Sequence, residues 1–264
     1  MKKTRLDNLL IEQGKADSRE KAKRLVLSGA VMVGDRVVDK PGTMISSGAE
    51  IRVTQKDPFV SRGGLKLQEA LDRFGIDCRD VTAIDIGAST GGFTDCLLQR
   101  GARKVFAVDV GYGQLDWSLR NDPRVVLLEK KNARYLLPED IGNERVKLAV
   151  ADVSFISLKL VLPPLRNLLD PEEGIAIALI KPQFEAGKGK VGKGGIVKDP
   201  ETIKTVLSGL LEWFKKEGWG VGGLIPSPIK GQKGNTEFLV YLKSGRSGKD
   251  WEIVPHNWPA ASDK

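Results

Sequence analysis

The chain has 264 residues, 41% of them hydrophobic and 29% charged, enough to bury one large domain or a small one beside a medium one, and too apolar for a disordered chain. A net charge of +8 points to a polyanionic partner, nucleic acid or an anionic surface, against the plainer reading of a solvated basic exterior. One histidine, His256, and two cysteines, Cys78 and Cys96, rule out a Ser-His-Asp triad, a His-rich metal site, a zinc set and a disulfide framework. No metal is expected, acid–base work falls to Lys, Asp, Glu or Tyr, and the cysteine usage fits a reducing, cytoplasmic setting.

The start, Met1-Lys2-Lys3-Thr4-Arg5, is basic, but the apolar stretch behind it is short and carries Asp7 and Glu12, so no leader is read there. No apolar run approaches the roughly 18–20 residues that span a bilayer, so a soluble protein without stable membrane association is expected. Residues 4–29 read as two short helices. Leu6, Leu9 and Leu10 share a face and Gly14 stops the first; Asp17 or Ser18 caps the second, which carries Arg19, Lys21, Lys23 and Arg24 beside Ala22, Leu25 and Val26, and Gly29 ends it. A hairpin follows around Gly34-Asp35, then a strand over 50–53. Residues 1–57 thus form a small α+β domain holding about half of the net positive charge. Lys56-Asp57-Pro58 marks a linker, taken as 58–60.

Beyond residue 60 strands and helices alternate. Strands are predicted over 81–86, 104–110, 125–128, 148–153, 175–180, 219–225 and 238–242. Helices are predicted over 93–100, 159–169, where Pro163-Pro164 should kink or divide the helix, and 200–216. Alternation of this kind means a doubly wound, mostly parallel seven-stranded α/β sheet, a Rossmann-like domain over 61–243. Residues 244–264, rich in Gly, Ser and Pro, read as a loosely attached tail.

Asp85-Ile86-Gly87-Ala88-Ser89-Thr90-Gly91-Gly92-Phe93 joins the first of these strands to the next helix, at the edge where such sheets bind ligands. Asp109 ends the next strand, from which a carboxylate can accept ribose hydroxyls. A dinucleotide fingerprint needs G-x-G-x-x-G; here the spacing is Gly87-x-x-x-Gly91-Gly92, and the alternatives are a dinucleotide site or a merely structural turn. The D-x-G-x-x-x-G-G form resembles the S-adenosylmethionine loop of class I methyltransferases. That resemblance implies a cofactor site of Asp85, Gly87, Ser89, Thr90, Gly91, Gly92, Phe93, Asp109, Val110 and Asn132. Gly187 to Gly194 approaches a P-loop but lacks the Ser or Thr that would hold magnesium, and it stands six residues from its strand. It reads as a basic loop over substrate.

Four ionisable residues stand at element ends or just before the first strand: Lys66, Asp152, Lys181 and Glu237. Singly, each is an ordinary solvated charge. Together they resemble the Lys-Asp-Lys-Glu tetrad of FtsJ-type ribose 2′-O-methyltransferases. The stretches from Ser61 to Leu67, Asp85 to Asp95, Asp152 to Leu158 and Lys181 to Glu185 resemble the TlyA family in particular, over about residues 4–243. That family comprises 2′-O-methyltransferases of ribosomal RNA cytidines that also carry haemolysin names. Residues 1–57 resemble the alpha-L RNA-binding module of some ribosomal proteins. The resemblance implies S-adenosylmethionine as cofactor, ribosomal RNA or its subunits as partner, and the tetrad as catalytic.

The chemistry suits these residue types. A ribose hydroxyl attacks only as its proton leaves, so Lys181 could serve as base beside a second cation, Lys66, which could equally stabilise the developing alkoxide; the assignment between the two lysines stays open at this level. Asp152 can orient Lys181, and Glu237 can hold Lys66. The strand before Asp152 is not followed by Asn-Pro-Pro-Tyr, the usual grip on an exocyclic amine, and neither cysteine stands at a strand end, so ribose is favoured over base. For RNA contact the candidates are Arg5, Arg19, Lys21, Lys23 and Arg24 in the small domain, and Arg62, Arg134 and Lys233 beyond it. Phe155 is a candidate to stack on a flipped nucleotide or pack the cofactor, or is an ordinary core residue. The competing readings are a membrane-active haemolysin-like protein and an RNA-binding protein without catalysis.

Overall fold

The computed structural model describes residues 3–27, 29–53, 58–187, 191–192, 194–231 and 234–245. It divides into two compact units, Met1–Arg62 and Gly63–Lys264, each with its own hydrophobic core.

In the first unit the apolar spacing read from the sequence does form two helices, α1 (Leu6–Glu12) and α2 (Arg19–Leu27). Leu6, Leu9, Leu10, Ala22, Leu25 and Val26 are buried with Val31 and Ile51, and each such Leu contributes roughly 1.5–3 kcal/mol. Ser18, rather than Asp17, supplies the cap, its Oγ accepting from Lys21 N at 3.2 Å. Gly29, at φ 76°, turns the chain out of α2 in the left-handed region that favours glycine. The hairpin is present: β2 (Val31–Val33) pairs with β3 (Arg36–Val37) around Gly34-Asp35, and β2 also pairs with β5 (Ile51–Val53). Two further strands have no counterpart in the sequence pattern: Lys3–Arg5, labelled β1, pairs antiparallel with Met44–Ser46, labelled β4.

The second unit opens with a helix absent from the sequence-based expectation, α3 (Gly63–Phe74). There follow β6 (Thr82–Ile86), α4 (Gly92–Gln99), β7 (Lys104–Val108), the single turn α5 (Trp117–Arg120), β8 (Val125–Leu128) and β9 (Leu148–Ala151). Then come α6 (Leu158–Arg166), β10 (Ile175–Ile180), the short α7 (Pro182–Glu185), α8 (Pro200–Lys216), β11 (Gly220–Pro226) and β12 (Phe238–Lys243). Pro163 and Pro164 do not divide α6, which runs unbroken from its Ser157 cap and ends two residues past Pro164.

The strand order is β11-β12-β10-β9-β6-β7-β8, with β12 antiparallel to both neighbours and the other pairs parallel. β6 and β9 are buried along their whole length, as expected where helices cover both faces of a sheet. The chain winds outward from β6 to β8, then returns to place β9 on the other side of β6. The carboxyl ends of β6 and β9 therefore flank the switch point, where a crevice opens.

Candidate active site

The tetrad is assembled by topology. Asp152 and Lys181 follow directly on the neighbouring parallel strands β9 and β10, so both stand at the carboxyl edge. Because β12 runs the opposite way, its first end lies at that same edge, and Glu237 stands just before it. Lys66 comes from the first turns of α3. Lys66 Nζ donates to Glu237 Oε2 at 2.7 Å and lies 3.7 Å from Asp152 Oδ2; Lys181 Nζ lies 2.6 Å from Asp152 Oδ1. The charges thus alternate, Glu237–Lys66–Asp152–Lys181. Alternation is what makes the burial tolerable, since the Glu237 side chain is only 3% exposed and an unpaired charge there would be costly. Ser154 Oγ accepts a hydrogen bond from Lys181 Nζ at 2.8 Å, a role not expected of it from the sequence.

Beside the tetrad lies a cavity of about 960 Å³. Of the residues expected to hold a cofactor, Gly87, Ser89, Asp109, Val110 and Asn132 line it, and Asp152 forms part of the same wall. Gly87 adopts φ 82°, and a Cβ there would stand 2.5 Å from the Asp152 carbonyl oxygen. The loop therefore presses directly on the segment carrying the tetrad's aspartate, and only glycine fits. Asp109 Oδ2 accepts from Ser89 N at 2.8 Å and Oδ1 from Gly111 N at 2.7 Å, which fixes the carboxylate while leaving each oxygen a further lone pair for a ligand hydroxyl. Asn132 caps a short turn, its side chain accepting from Arg134 N at 3.0 Å.

Asp85, Thr90, Gly91, Gly92 and Phe93 do not line the cavity. Gly91, Gly92 and Phe93 are buried behind it, Gly91 hemmed in by Leu115 and Leu119. Asp85 is fully buried, which pushes its carboxyl up to about 7 against the hydrogen bond from Thr94, with Asp152 and Asp109 adding to the rise. Thr94 Oγ1 donates to Asp85 Oδ2 at 2.7 Å, while Oδ1 has no partner among the described residues. Of the rest of the lining, Gln114, Lys131 and Leu160 belong to no motif, whereas Ile156, Ser157 and Phe184 fall within the stretches Asp152 to Leu158 and Lys181 to Glu185 without an expected role. A cavity of this size, lined by apolar side chains together with fixed polar groups, fits a nucleoside-sized ligand.

Phe155 is no core residue. It is 91% exposed, adopts φ 63°, which is rare for a bulky side chain, and tilts against Phe184 with ring centroids 4.9 Å apart. Arg134 also lines the cavity. In the first unit the candidate cations already have acidic partners. Arg5 donates twice to the buried Asp7, at 3.0 and 2.8 Å, Arg19 Nε lies 3.5 Å from the same carboxylate, Lys21 pairs with Asp17, and Lys23 lies 3.2 Å from Glu20. The hydrogen bonds from Arg5 hold the Asp7 carboxyl below its ordinary range. Arg24 lies on the same helix and Arg62 is exposed, whereas Lys233 falls outside the described residues. Cys78 and Cys96 are buried, which pushes their thiols up to about 11 and about 12, so neither is poised as a nucleophile. Among the described residues no helix is long and apolar enough to cross a membrane.

An open sheet of this strand order, with a glycine loop after its first strand and a carboxylate ending its second, is the class I methyltransferase fold. Residues 59–244 match the FtsJ-like methyltransferase family and residues 4–51 the S4 domain. The chain is 45% identical over 245 residues to the 16S/23S rRNA (cytidine-2′-O)-methyltransferase TlyA of Mycobacterium tuberculosis (strain ATCC 25618 / H37Rv), covering 92% of this chain and 91% of that one. It is 42% identical over 238 residues to Hemolysin A of Brachyspira hyodysenteriae, covering 90% and 99%. A solved structure from Streptococcus thermophilus that carries a hemolysin name is 46% identical, with a TM-score of 0.72 over 92% of this chain and 88% of that chain. The chain belongs to the TlyA family of FtsJ-like methyltransferases, with an S4 domain ahead of the catalytic one.

Proposed function

We propose that this protein methylates the ribose 2′-hydroxyl of a cytidine in ribosomal RNA. The observation that carries the reading is the alternating Glu237–Lys66–Asp152–Lys181 chain, whose Asp152 lines the cavity. It offers an amine base with a neighbouring cation, and neither buried cysteine is poised as a nucleophile. The name of the mycobacterial relative supports the choice of cytidine and ribosomal RNA.

S-adenosylmethionine, when bound, supplies a methyl group on a sulfonium cation. Asp109 would accept from its ribose hydroxyls, and Gly87, Ser89, Val110 and Asn132, which line the same cavity, would hold the rest of it. Lys181, beside Asp152 and Ser154, takes the proton from the 2′-hydroxyl as the hydroxyl attacks. Lys66, anchored by Glu237, stabilises the developing alkoxide. Phe155 stacks on the extruded nucleotide, and Arg134 with the cations of the first unit binds phosphate. Much of the rate comes from holding the hydroxyl in line with the methyl.

The test is transfer of tritium from labelled S-adenosylmethionine to ribosomal subunits purified from cells lacking the modification, followed by mapping of the labelled nucleotide. Label on a cytidine ribose is expected. Label on a base, or none on either subunit, overturns the reading.

A further inference from the structure

Two segments of the second unit interlock residue by residue. Lys181, Phe184 and Glu185, on the turn after β10, meet Ser154, Phe155 and Ser157, in the loop after β9. Lys181 Nζ donates to Ser154 Oγ, and Phe184 lies against Phe155. The third tie uses a residue to which the mechanism gives no role. Glu185 Oε2 accepts from Ser157 Oγ at 2.6 Å, and Oε1 accepts from Leu158 N at 2.8 Å.

That carboxylate occupies a decisive place. Leu158 opens α6, and its N–H is one of the amides that a helix start leaves without a partner inside the helix. Ser157 already caps the same start, accepting from Lys159 N at 3.2 Å. Glu185 thus clamps both the cap residue and the first helical amide, and fixes where the loop ends. The other end of the loop is fixed at Asp152 by Lys181. Between these anchors Phe155 is held in a left-handed conformation with its ring in solvent. A bulky residue keeps such a backbone only where its surroundings enforce it, and an exposed aromatic has no core contact of its own to do so.

We propose that Glu185 is a positioning residue that holds the loop of residues 154–157, and so the Phe155 ring, in the stance that receives the extruded nucleotide. This rests on the reading of Phe155 as the stacking residue. Glu185 touches neither substrate nor reacting atoms; it acts by keeping the competent loop populated before RNA arrives. When a site is competent only a fraction of the time, its apparent affinity falls by that fraction.

The test uses the full chain and methyl transfer to ribosomal subunits, with KM for subunits and kcat measured separately, cofactor affinity by calorimetry and thermal unfolding as a check on folding. Glu185→Ala is expected to raise KM for subunits about tenfold, the effect of a competent fraction falling to about a tenth, with kcat less affected and cofactor affinity near that of the unsubstituted chain. Glu185→Gln, whose carbonyl can still accept from Leu158 N and whose amide can donate to Ser157 Oγ, should restore most of the KM. In a Phe155→Ala background, Glu185→Ala should add nothing. An unchanged KM in Glu185→Ala overturns the proposal. So does a loss that persists in full in the Phe155→Ala background, or a loss that Gln fails to relieve while folding is intact. If Phe155→Ala is itself silent while the unsubstituted chain methylates, this proposal falls and the methyltransferase reading stands. If the unsubstituted chain transfers nothing, both fall together.

Discussion

At the scale of single residues, the alternating charges give the sharpest expectations. Removing Lys181 leaves the Asp152 carboxylate without the side chain 2.6 Å away and, on the proposed reading, the hydroxyl without its base. Lys181→Ala should therefore abolish transfer in single-turnover assays while cofactor affinity, measured by calorimetry, stays nearly intact, since its role belongs to the transition state. Asp109→Ala should do the opposite. It removes a carboxylate already fixed by two amides, and should weaken cofactor binding by about 1.5–3 kcal/mol. Asp85 makes a prediction in pH. Its carboxyl ionises near 3.8 when unfolded but keeps its proton to about 7 when folded. The folded chain holds the extra proton across that window, so stability falls as pH rises from about 4 to about 7, by at most about 1.4 kcal/mol per pH unit. Denaturant titrations should show that slope, and Asp85→Asn should flatten it; an unchanged slope would mean that Asp85 is ionised throughout. The four tetrad positions are legible in the sequence only together, through the resemblance of the stretches around them: singly each is an ordinary solvated charge, and Lys66 stands in α3 rather than at a strand end. Ser154 and Glu185 fall within those stretches but carry no expected role: a hydroxyl in a loop and a carboxylate on the short α7 become partners of Lys181 and Leu158 only once two strands are neighbours.

At the scale of elements, legibility follows the length of the apolar pattern. β10 and α8 form over the predicted residues because six apolar residues in a row, or a seventeen-residue amphipathic run, overwhelm local exceptions. β1 and β4 are invisible to such a pattern, being three residues long and largely exposed. They exist because Lys3 pairs with Ser46 and Arg5 with Met44, a choice made across some forty residues that no local periodicity records. α3 has no counterpart among the predicted elements although Leu67, Ala70 and Leu71 share a buried face; it starts on Gly63 and Gly64, which are poor helix formers. α2 carries this scale's prediction. Its cations are paired with Asp17, Glu20 and Asp7, so binding phosphate exchanges one anion for another. Neutralising Lys21 and Lys23 should weaken RNA binding and lower the salt dependence by about one unit of slope for each phosphate no longer neutralised. Neutralising Asp17 and Glu20 should strengthen binding, because the competing anions are gone. Filter binding to ribosomal RNA over a salt series reads both, and equal effects of the two pairs would mean that α2 faces away from RNA.

At the scale of the molecule, the two units have separate cores, so recognition and chemistry should come apart. A chain lacking residues 1–62 should fold, bind S-adenosylmethionine as the whole protein does, and methylate ribosomal subunits poorly. Full methylation by that fragment, in the same tritium assay, would assign the first unit to another partner. The antiparallel β12 has a bearing on the order in which these capacities arise. Glu237, the anchor of Lys66, sits at the start of the last strand, whereas the S4 unit is complete within the first quarter of the chain. A chain emerging from the ribosome acquires its RNA-binding head early. It cannot complete its active site until β12 has been inserted between β10 and β11. During synthesis the protein is therefore a binder before it is an enzyme, and a product terminated between the end of the first unit and Glu237 is left with recognition and no catalysis.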